Sequence, residues 1–346
     1  MKKNKSVIRK IAFFNLEQWQ SYYIKDKLNS YKPAIKLKTD FNFGLISEQN
    51  CLRYKDYDAI AVFVWSKLTR DIINALTKLR LILTMSTGYD HIDLEICRKK
   101  KITVCNVPNY GENTVAEHTF ALILSLSRQL KSAQEWFHHP TKSITELRGF
   151  DLYGKTLGVI GAGNIGLHVI RIARGFGMNV LAYDTNPQTL LAEILGFKYT
   201  SLNELLKNSD IISLHVPATK QTYHMLDTNE FSQMKKGAIL INTARGSVVN
   251  TEALLVAIDK GIISGAGLDV IEGEEFIKEE SALLNSPVAE NTLRNLVQVY
   301  TLMRNDKVIF TPHIAFNSYE AVTRILDTTI HNLISFMEGR PINKVI

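Results

Sequence analysis

The sequence predicts an α/β protein made of two doubly wound parallel-sheet lobes. Three observations predict it. Short β-branched or aromatic runs recur without strict alternation, the pattern of parallel strands buried on both faces. Helical patterns stand between them, as βαβ units require. A glycine fingerprint, Gly161-Ala162-Gly163-Asn164-Ile165-Gly166, begins only in mid-chain, so a whole lobe precedes it. The 346 residues suffice for two cores.

Strands of the first lobe are expected at 11–14, 35–37, 60–65, 81–85 and 102–105, with a helix at 71–79. A long helix follows. Thr114-Val115-Ala116-Glu117 fits a capping box, and 116–130 is apolar almost all round, which predicts a buried helix lying between the lobes. Residues 138–149 are polar and irregular and should run over the surface. The alternation then resumes, with six strands expected at 156–160, 180–183, 211–215, 238–242, 262–268 and 308–310. Helices fit at 167–175, 201–207 and 251–259. A last helix is expected at 317–338, capped by Asn317 with Glu320 and returning to the first lobe. The expected boundaries are therefore 1–112 with 315–346 for a substrate lobe, and 113–314 for a cofactor lobe.

Composition excludes several classes. Hydrophobic content of 45% and charged content of 22% are those of a soluble globular protein. The net charge of +7 aids solubility and attracts small anions. The Lys-rich start lacks the arginines and aromatics of a nucleic-acid site. Cys51, Cys97 and Cys105 are odd in number and lack CxxC spacing, which predicts reduced thiols in a cytoplasm and no metal site. No signal-peptide core is present, and the most apolar segment, 120–126, is far short of a membrane span.

The fingerprint follows an apolar strand, opens a helix, and is followed by a second strand ending on Asp184. That context makes it a dinucleotide site. The glycines allow a tight turn and close approach to a pyrophosphate, which the helix N-terminus attracts. Asp184 suits a ribose diol and repels a 2′-phosphate. No Arg or Lys follows it in Thr185-Asn186-Pro187, so NAD is expected over NADP.

Three loops at the carboxyl ends of cofactor-lobe strands carry chemistry: Asn242-Thr243-Ala244-Arg245-Gly246, then Asp269-Val270-Ile271-Glu272-Gly273-Glu274, then Thr311-Pro312-His313. Arg245 can bind a carboxylate through two parallel bonds and polarise a neighbouring carbonyl. His313 can exchange the proton at that carbonyl or hydroxyl. A carboxylate behind His313 would orient its ring, and composition leaves Asp269, Glu272, Glu274 and Glu275 as equal candidates.

At these loops the chain resembles the D-isomer-specific 2-hydroxyacid dehydrogenases over nearly its whole length. The carriers are Ser86-Thr87-Gly88-Tyr89-Asp90-His91-Ile92-Asp93, Val107-Pro108 through Ala116-Glu117-His118, the glycine fingerprint and His215-Val216-Pro217. Asn242 to Gly246, Gly267-Leu268-Asp269-Val270 and Thr311-Pro312-His313-Ile314-Ala315 complete them. The resemblance implies a Rossmann NAD-binding lobe, a smaller flavodoxin-like substrate lobe, and catalysis by Arg245, Glu274 and His313. The family glutamate lies five residues after Asp269, at Glu274. It also implies cofactor contacts at Gly161, Gly163, Asn164, Ile165, Gly166, Asp184, Val216, Pro217, Thr243 and Ala244, with Asp269 near the nicotinamide. The backbone at Thr87 and Gly88 would hold the carboxylate of a small 2-ketoacid or 2-hydroxyacid. Tyr110 and Leu283-Leu284-Asn285 look most like the D-lactate dehydrogenase branch, and homodimers are implied. The chain departs from that branch in a long charged stretch, 275–306, and in Trp65-Ser66-Lys67, where Lys67 offers a cation for a second acidic group. Phosphoglycerate, hydroxypyruvate or branched ketoacids are thus alternative substrates, and an NADH-sensing corepressor an alternative role.

Overall fold

The computed structural model describes residues 8–31, 37–138, 143–273 and 290–346. The chain divides into two compact units, Met1–Tyr110 with Ser318–Ile346, and Gly111–Asn317.

Among the described residues, the first unit holds five parallel strands: β1 (Lys10–Phe13), β2 (Lys38–Phe41), β3 (Ala59–Val62), β4 (Leu81–Thr84) and β5 (Thr103–Cys105). Their order is β2-β1-β3-β4-β5, the flavodoxin-like winding. Every residue of β3 and β4 is buried, which is why both read as unbroken apolar runs. Helix α1 (Gln18–Ser30) packs against the last helix of the chain, α12 (Tyr319–Met337), which also contacts β4. Between them lie α2 (Arg70–Ala75) and α3 (Leu94–Lys100).

The second strand lies at Lys38–Phe41, an edge strand with no fully buried residue, so no apolar run marks it; of the expected 35–37, residues 35 and 36 lie outside the described residues. Two other expectations need correction. The third strand ends at Val62, where the chain turns through a Ser66 N–H bond to Phe63 O. The last helix begins after Ser318, whose Oγ accepts the Ala321 N–H, so Ser318 rather than Asn317 is its cap.

Among the described residues, the second unit holds seven parallel strands: β6 (Thr156–Ile160), β7 (Asn179–Tyr183), β8 (Lys198–Tyr199), β9 (Ile211–Leu214), β10 (Ala238–Asn242), β11 (Ile263–Leu268) and β12 (Val308–Phe310). Their order is β12-β11-β10-β9-β6-β7-β8, the Rossmann winding with its switch point between β6 and β9. The seventh strand, β8, is two residues at the sheet edge and too short to leave a periodic signal.

Helix α4 (Glu112–Ser127) packs on α6 (Asn164–Gly175) and on β10, β11 and β12. Its N-cap is Gly111, so Thr114 stands inside the first turn and does not cap it; Glu112 supplies the first-turn acid instead. The helix stops at Ser127 because Gln129 is left-handed, φ 52°, and α5 (Leu130–His138) starts anew. The outer helices are α7 (Thr189–Leu195), α8 (Leu202–Asn208), α9 (Thr228–Ser232) and α10 (Thr251–Asp259). In the long charged stretch, α11 (Glu290–Met303) buries Val299 and Leu302 in the core. None of the described helices is long and apolar enough to cross a membrane.

Candidate active site

The fingerprint turn is shaped by space. Gly161 takes φ 95°, and a Cβ on it would stand 2.7 Å from His215 O. A Cβ on Gly166 would stand 2.1 Å from Gly161 O. On Gly163 it would meet no protein atom within 4 Å, so this is the face open to a ligand. Gly163 is the N-cap of α6 and no side chain caps that helix, which leaves its positive end to an anion. Ala162 N donates to Asp184 Oδ2 at 2.8 Å, tying the turn to the acid at the end of β7. Asp184 Oδ1 accepts the Asn186 N–H at 2.8 Å, and both oxygens keep acceptor capacity for a ribose diol. Asn164 is exposed and Ile165 half-buried in the first turn of α6. Val216 and Pro217 follow β9, next to β6 across the switch point. The buried His215 Nδ1 has no partner among the described residues. Burial holds the His215 imidazole neutral, its pKa pushed down to about 3. These features fit a dinucleotide.

The three candidate loops share one sheet edge because their strands are parallel neighbours. Asn242 pairs with Leu268, and Leu268 with Phe310, so the segments after β10, β11 and β12 leave the sheet side by side. This brings the Arg245, Asp269 and His313 segments together in one unit. Asn242 staples the first: its Nδ2 donates to Arg245 O at 3.0 Å and its Oδ1 accepts the Ala244 N–H at 3.0 Å. Arg245 Nη1 donates to Ala244 O, and Thr243 Oγ1 meets Thr119 Oγ1 of α4 at 3.0 Å.

Asp269 is 1% exposed and clamps the third loop. Oδ1 accepts Thr311 Oγ1–H at 2.6 Å and Ile314 N–H at 2.9 Å; Oδ2 accepts Ala315 N–H at 2.9 Å. His118 Nε2 lies 3.0 Å from Thr311 Oγ1 and 3.6 Å from Asp269 Oδ1. Between these anchors His313 holds φ 56°, a left-handed backbone that a non-glycine residue keeps only when its surroundings enforce it. Glu272 is committed elsewhere, with His224 Nε2 2.9 Å from its Oε2. Glu274 and Glu275 lie outside the described residues. The supporting roles of Asn242, His118, Thr119 and Thr311 leave no signal in the sequence, because their partners are set only by folding.

In the first unit, Thr87 and Gly88 form the loop after β4. Thr87 Oγ1 donates to Val107 O at 2.9 Å, Asn106 Nδ2 to Thr87 O at 2.9 Å, and Ser86 Oγ to Gly88 O at 2.6 Å. Tyr110 is half-buried, and its carbonyl accepts Arg324 Nε–H at 2.6 Å. Lys67 is exposed; the next residue, Leu68, donates its N–H to His91 O, which sets Lys67 beside the same loop.

Comparison with known proteins gives the family of the chain that carries these loops. The sequence model described as D-isomer specific 2-hydroxyacid dehydrogenase, NAD binding domain, matches residues 120–315. The chain belongs to the D-isomer-specific 2-hydroxyacid dehydrogenases. It is an NAD-dependent oxidoreductase of that family. The D-lactate dehydrogenase of Escherichia coli is 33% identical over 95% of this chain and 97% of that protein. The structure of D-lactate dehydrogenase from Aquifex aeolicus, complexed with NAD and lactic acid, superimposes with a TM-score of 0.84 at 39% identity, covering 95% of this chain and 96% of that one. A glyoxylate reductase of Thermococcus litoralis is 36% identical over 83% of this chain and 82% of that protein.

Proposed function

We propose that this enzyme interconverts pyruvate and D-lactate. The observation that carries the substrate is the extent of the likeness. The similarity to the Escherichia coli lactate dehydrogenase spans 95% of this chain, against 83% for the Thermococcus litoralis glyoxylate reductase.

In this reading the Arg245 guanidinium takes the ketoacid carboxylate by two parallel hydrogen bonds and polarises the adjacent carbonyl. The backbone N–H groups of Thr87 and Gly88, with Tyr110, are the substrate-binding candidates of the first unit. His313 donates a proton to the carbonyl oxygen in reduction and takes it back in oxidation. Glu274 orients the His313 ring, and Asp269 holds the backbone that carries it. Bound NADH supplies the hydride, which no side chain can. Gly161, Gly163, Asn164, Ile165, Gly166, Asp184, Val216, Pro217, Thr243 and Ala244 hold that cofactor. The working unit is a homodimer, and three buried free cysteines suit a reducing cytoplasm.

A second reading, reduction of glyoxylate, is favoured by the glyoxylate reductases among the relatives. NADH oxidation by the purified enzyme separates the two. The panel holds pyruvate, glyoxylate, hydroxypyruvate, phosphohydroxypyruvate, 2-ketoisocaproate and 2-ketoglutarate. The highest kcat/KM on pyruvate, with D-lactate as product, is the expected result. Glyoxylate ahead of pyruvate selects the second reading. Turnover restricted to doubly acidic substrates overturns both and makes Lys67 the selector.

A further inference from the structure

His224 and Glu272 belong to none of the groups assigned above, yet they form a built pair in the second unit. His224 Nε2 lies 3.0 and 2.9 Å from the two carboxylate oxygens of Glu272. The Tyr223 hydroxyl donates to Glu272 Oε1 at 3.3 Å, and its ring stacks on the imidazole with centroids 4.0 Å apart and planes 16° apart. Side-chain exposures of 24% and 26% remove the pair from the class of freely screened surface bridges. The His224 backbone is left-handed, φ 48°, a conformation that a side chain disfavours and that the surroundings must enforce.

The two residues come from segments that flank the backbone following Arg245. On one side, His224 N donates to Ser247 O at 2.8 Å, Leu226 N to Val248 O at 3.1 Å, and Asn250 N to Leu226 O at 3.0 Å. On the other, Gly246 lies flat against the next loop: a Cβ there would stand 2.2 Å from Ile271 C and 2.4 Å from Glu272 N. The His224–Glu272 pair closes this triangle of segments. Both flanking segments touch the backbone immediately after Arg245, and the side-chain pair that ties them together is one a substitution can open.

We propose that His224 and Glu272 are positioning residues that aim Arg245 at the substrate carboxylate by holding Gly246 and Ser247 between them. The proposal rests on the role given to Arg245 above. His224 and Glu272 act through the loop and not on the reacting atoms. Tyr223 supports the pair by stacking, and among the described residues Asp227 is a second acid that interacts electrostatically with His224.

The test uses the full-length enzyme with His224→Ala, His224→Gln, Glu272→Gln, Arg245→Lys and the double variant His224→Ala/Arg245→Lys. Pyruvate is the ketoacid probe, and NADH affinity is read by fluorescence titration. His224→Ala should raise the KM for pyruvate about tenfold, with kcat within about threefold and the NADH Kd unchanged. His224→Gln, which keeps a donor for Glu272, should recover most of the KM, and Glu272→Gln should fall between them. In the Arg245→Lys background His224→Ala should add less than about twofold, because the group it aims has lost its fork. Wild-type KM in His224→Ala and Glu272→Gln, beside a large loss in Arg245→Lys, overturns the positioning role and leaves Arg245 in place. Near-normal kinetics in Arg245→Lys overturns the role of Arg245 and the proposal with it. Equal loss of pyruvate and NADH affinity in every variant, without recovery in His224→Gln, shows general loosening and also overturns the proposal. Should His224→Ala fail to fold, the two Gln variants carry the same comparison.

Discussion

Asp269→Asn preserves the shape of a buried side chain and removes its charge, so it measures what the carboxylate does for the His313 loop. The carboxylate accepts three donors: Thr311 Oγ1 and Ile314 N on one oxygen, Ala315 N on the other. Asparagine has one oxygen for them. With Oδ1 kept on the first two, the amide NH₂ faces the Ala315 N–H, donor against donor. The flipped amide is worse, since it confronts Thr311 and Ile314 together. One charge-assisted bond, about 1.5–3 kcal/mol, is lost, and a buried N–H is left unsatisfied at about 1–3 kcal/mol. A loss near 3 kcal/mol is a large share of the roughly 5–15 kcal/mol that holds a domain folded. The strain at His313, φ 56°, lets the loop relax once the clamp weakens. Misplacement of a proton donor by about 1 Å costs on the order of a hundredfold in kcat/KM. Urea unfolding and steady-state kinetics on the same preparations check both figures. A variant with the wild-type midpoint and kcat/KM within about twofold refutes the reasoning, because the clamp would then hold nothing.

Other perturbations test separate parts of the argument. Gly166→Ala drives a Cβ to 2.1 Å from Gly161 O, a backbone atom that cannot step aside, so α6 must shift from the turn at a cost of about 1–3 kcal/mol; fluorescence titration should show NADH affinity falling about tenfold or more, and unchanged affinity would sink the account of that glycine. Gly246→Ala meets Ile271 and Glu272 backbone in the same way, at 2.2 and 2.4 Å, but beside Arg245 instead of the cofactor turn, so kcat/KM should collapse while NADH still binds. His215 is held neutral by burial with a pKa of about 3 against an ordinary 6.5. Below pH 6.5 the unfolded chain takes up a proton that the folded one refuses, so stability drains away between pH 6.5 and 3, by about 2 kcal/mol at pH 5 from this group alone. Comparing urea unfolding at pH 8 and pH 5 in wild type and His215→Gln checks this, and equal pH losses in the two proteins would contradict it.

What could be read from the sequence was what burial writes into it. The strand Thr156–Ile160 and the helix Thr251–Asp259 stand where expected. The strand is sealed on both faces, and the helix carries a cap, Asn250, whose side chain accepts Glu252 and Ala253 N–H. The edge strands Lys38–Phe41 and Lys198–Tyr199 escaped because a sheet edge demands no apolar run. At the start of α4, Thr114 and Glu117 have cap spacing, but spacing alone does not say whether the chain is already helical there, and the helix begins after Gly111. In the candidate active site, Arg245 and His313 stand out because each lies in the loop just after a strand of recognisable type. Their supports do not: His118 meets Thr311 across 193 residues and Thr119 meets Thr243 across 124, distances over which no local pattern reports.

In the proposed mechanism an arginine and a histidine far apart in the chain act together, and these supports hold the backbone that carries each of them. A parallel sheet delivers successive strand ends to one edge, but it sets only backbone positions there, and loops at that edge are otherwise free to splay. Here the splay is countered three times within one unit. Asn242 folds the first loop back on its own strand, Asp269 binds the third loop to the second, and the bare backbone of Gly246 lets the first and second loops touch. Each device joins neighbours only, and together they form a chain from Arg245 to His313 that runs through backbone and buried carboxylate. A chain of this kind is stiff because none of its links is a long flexible side chain in solvent. It follows that substitutions at Asn242, Gly246 or Asp269 should cost activity in proportion to the link they cut, although none of the three carries out the proton or hydride transfer itself.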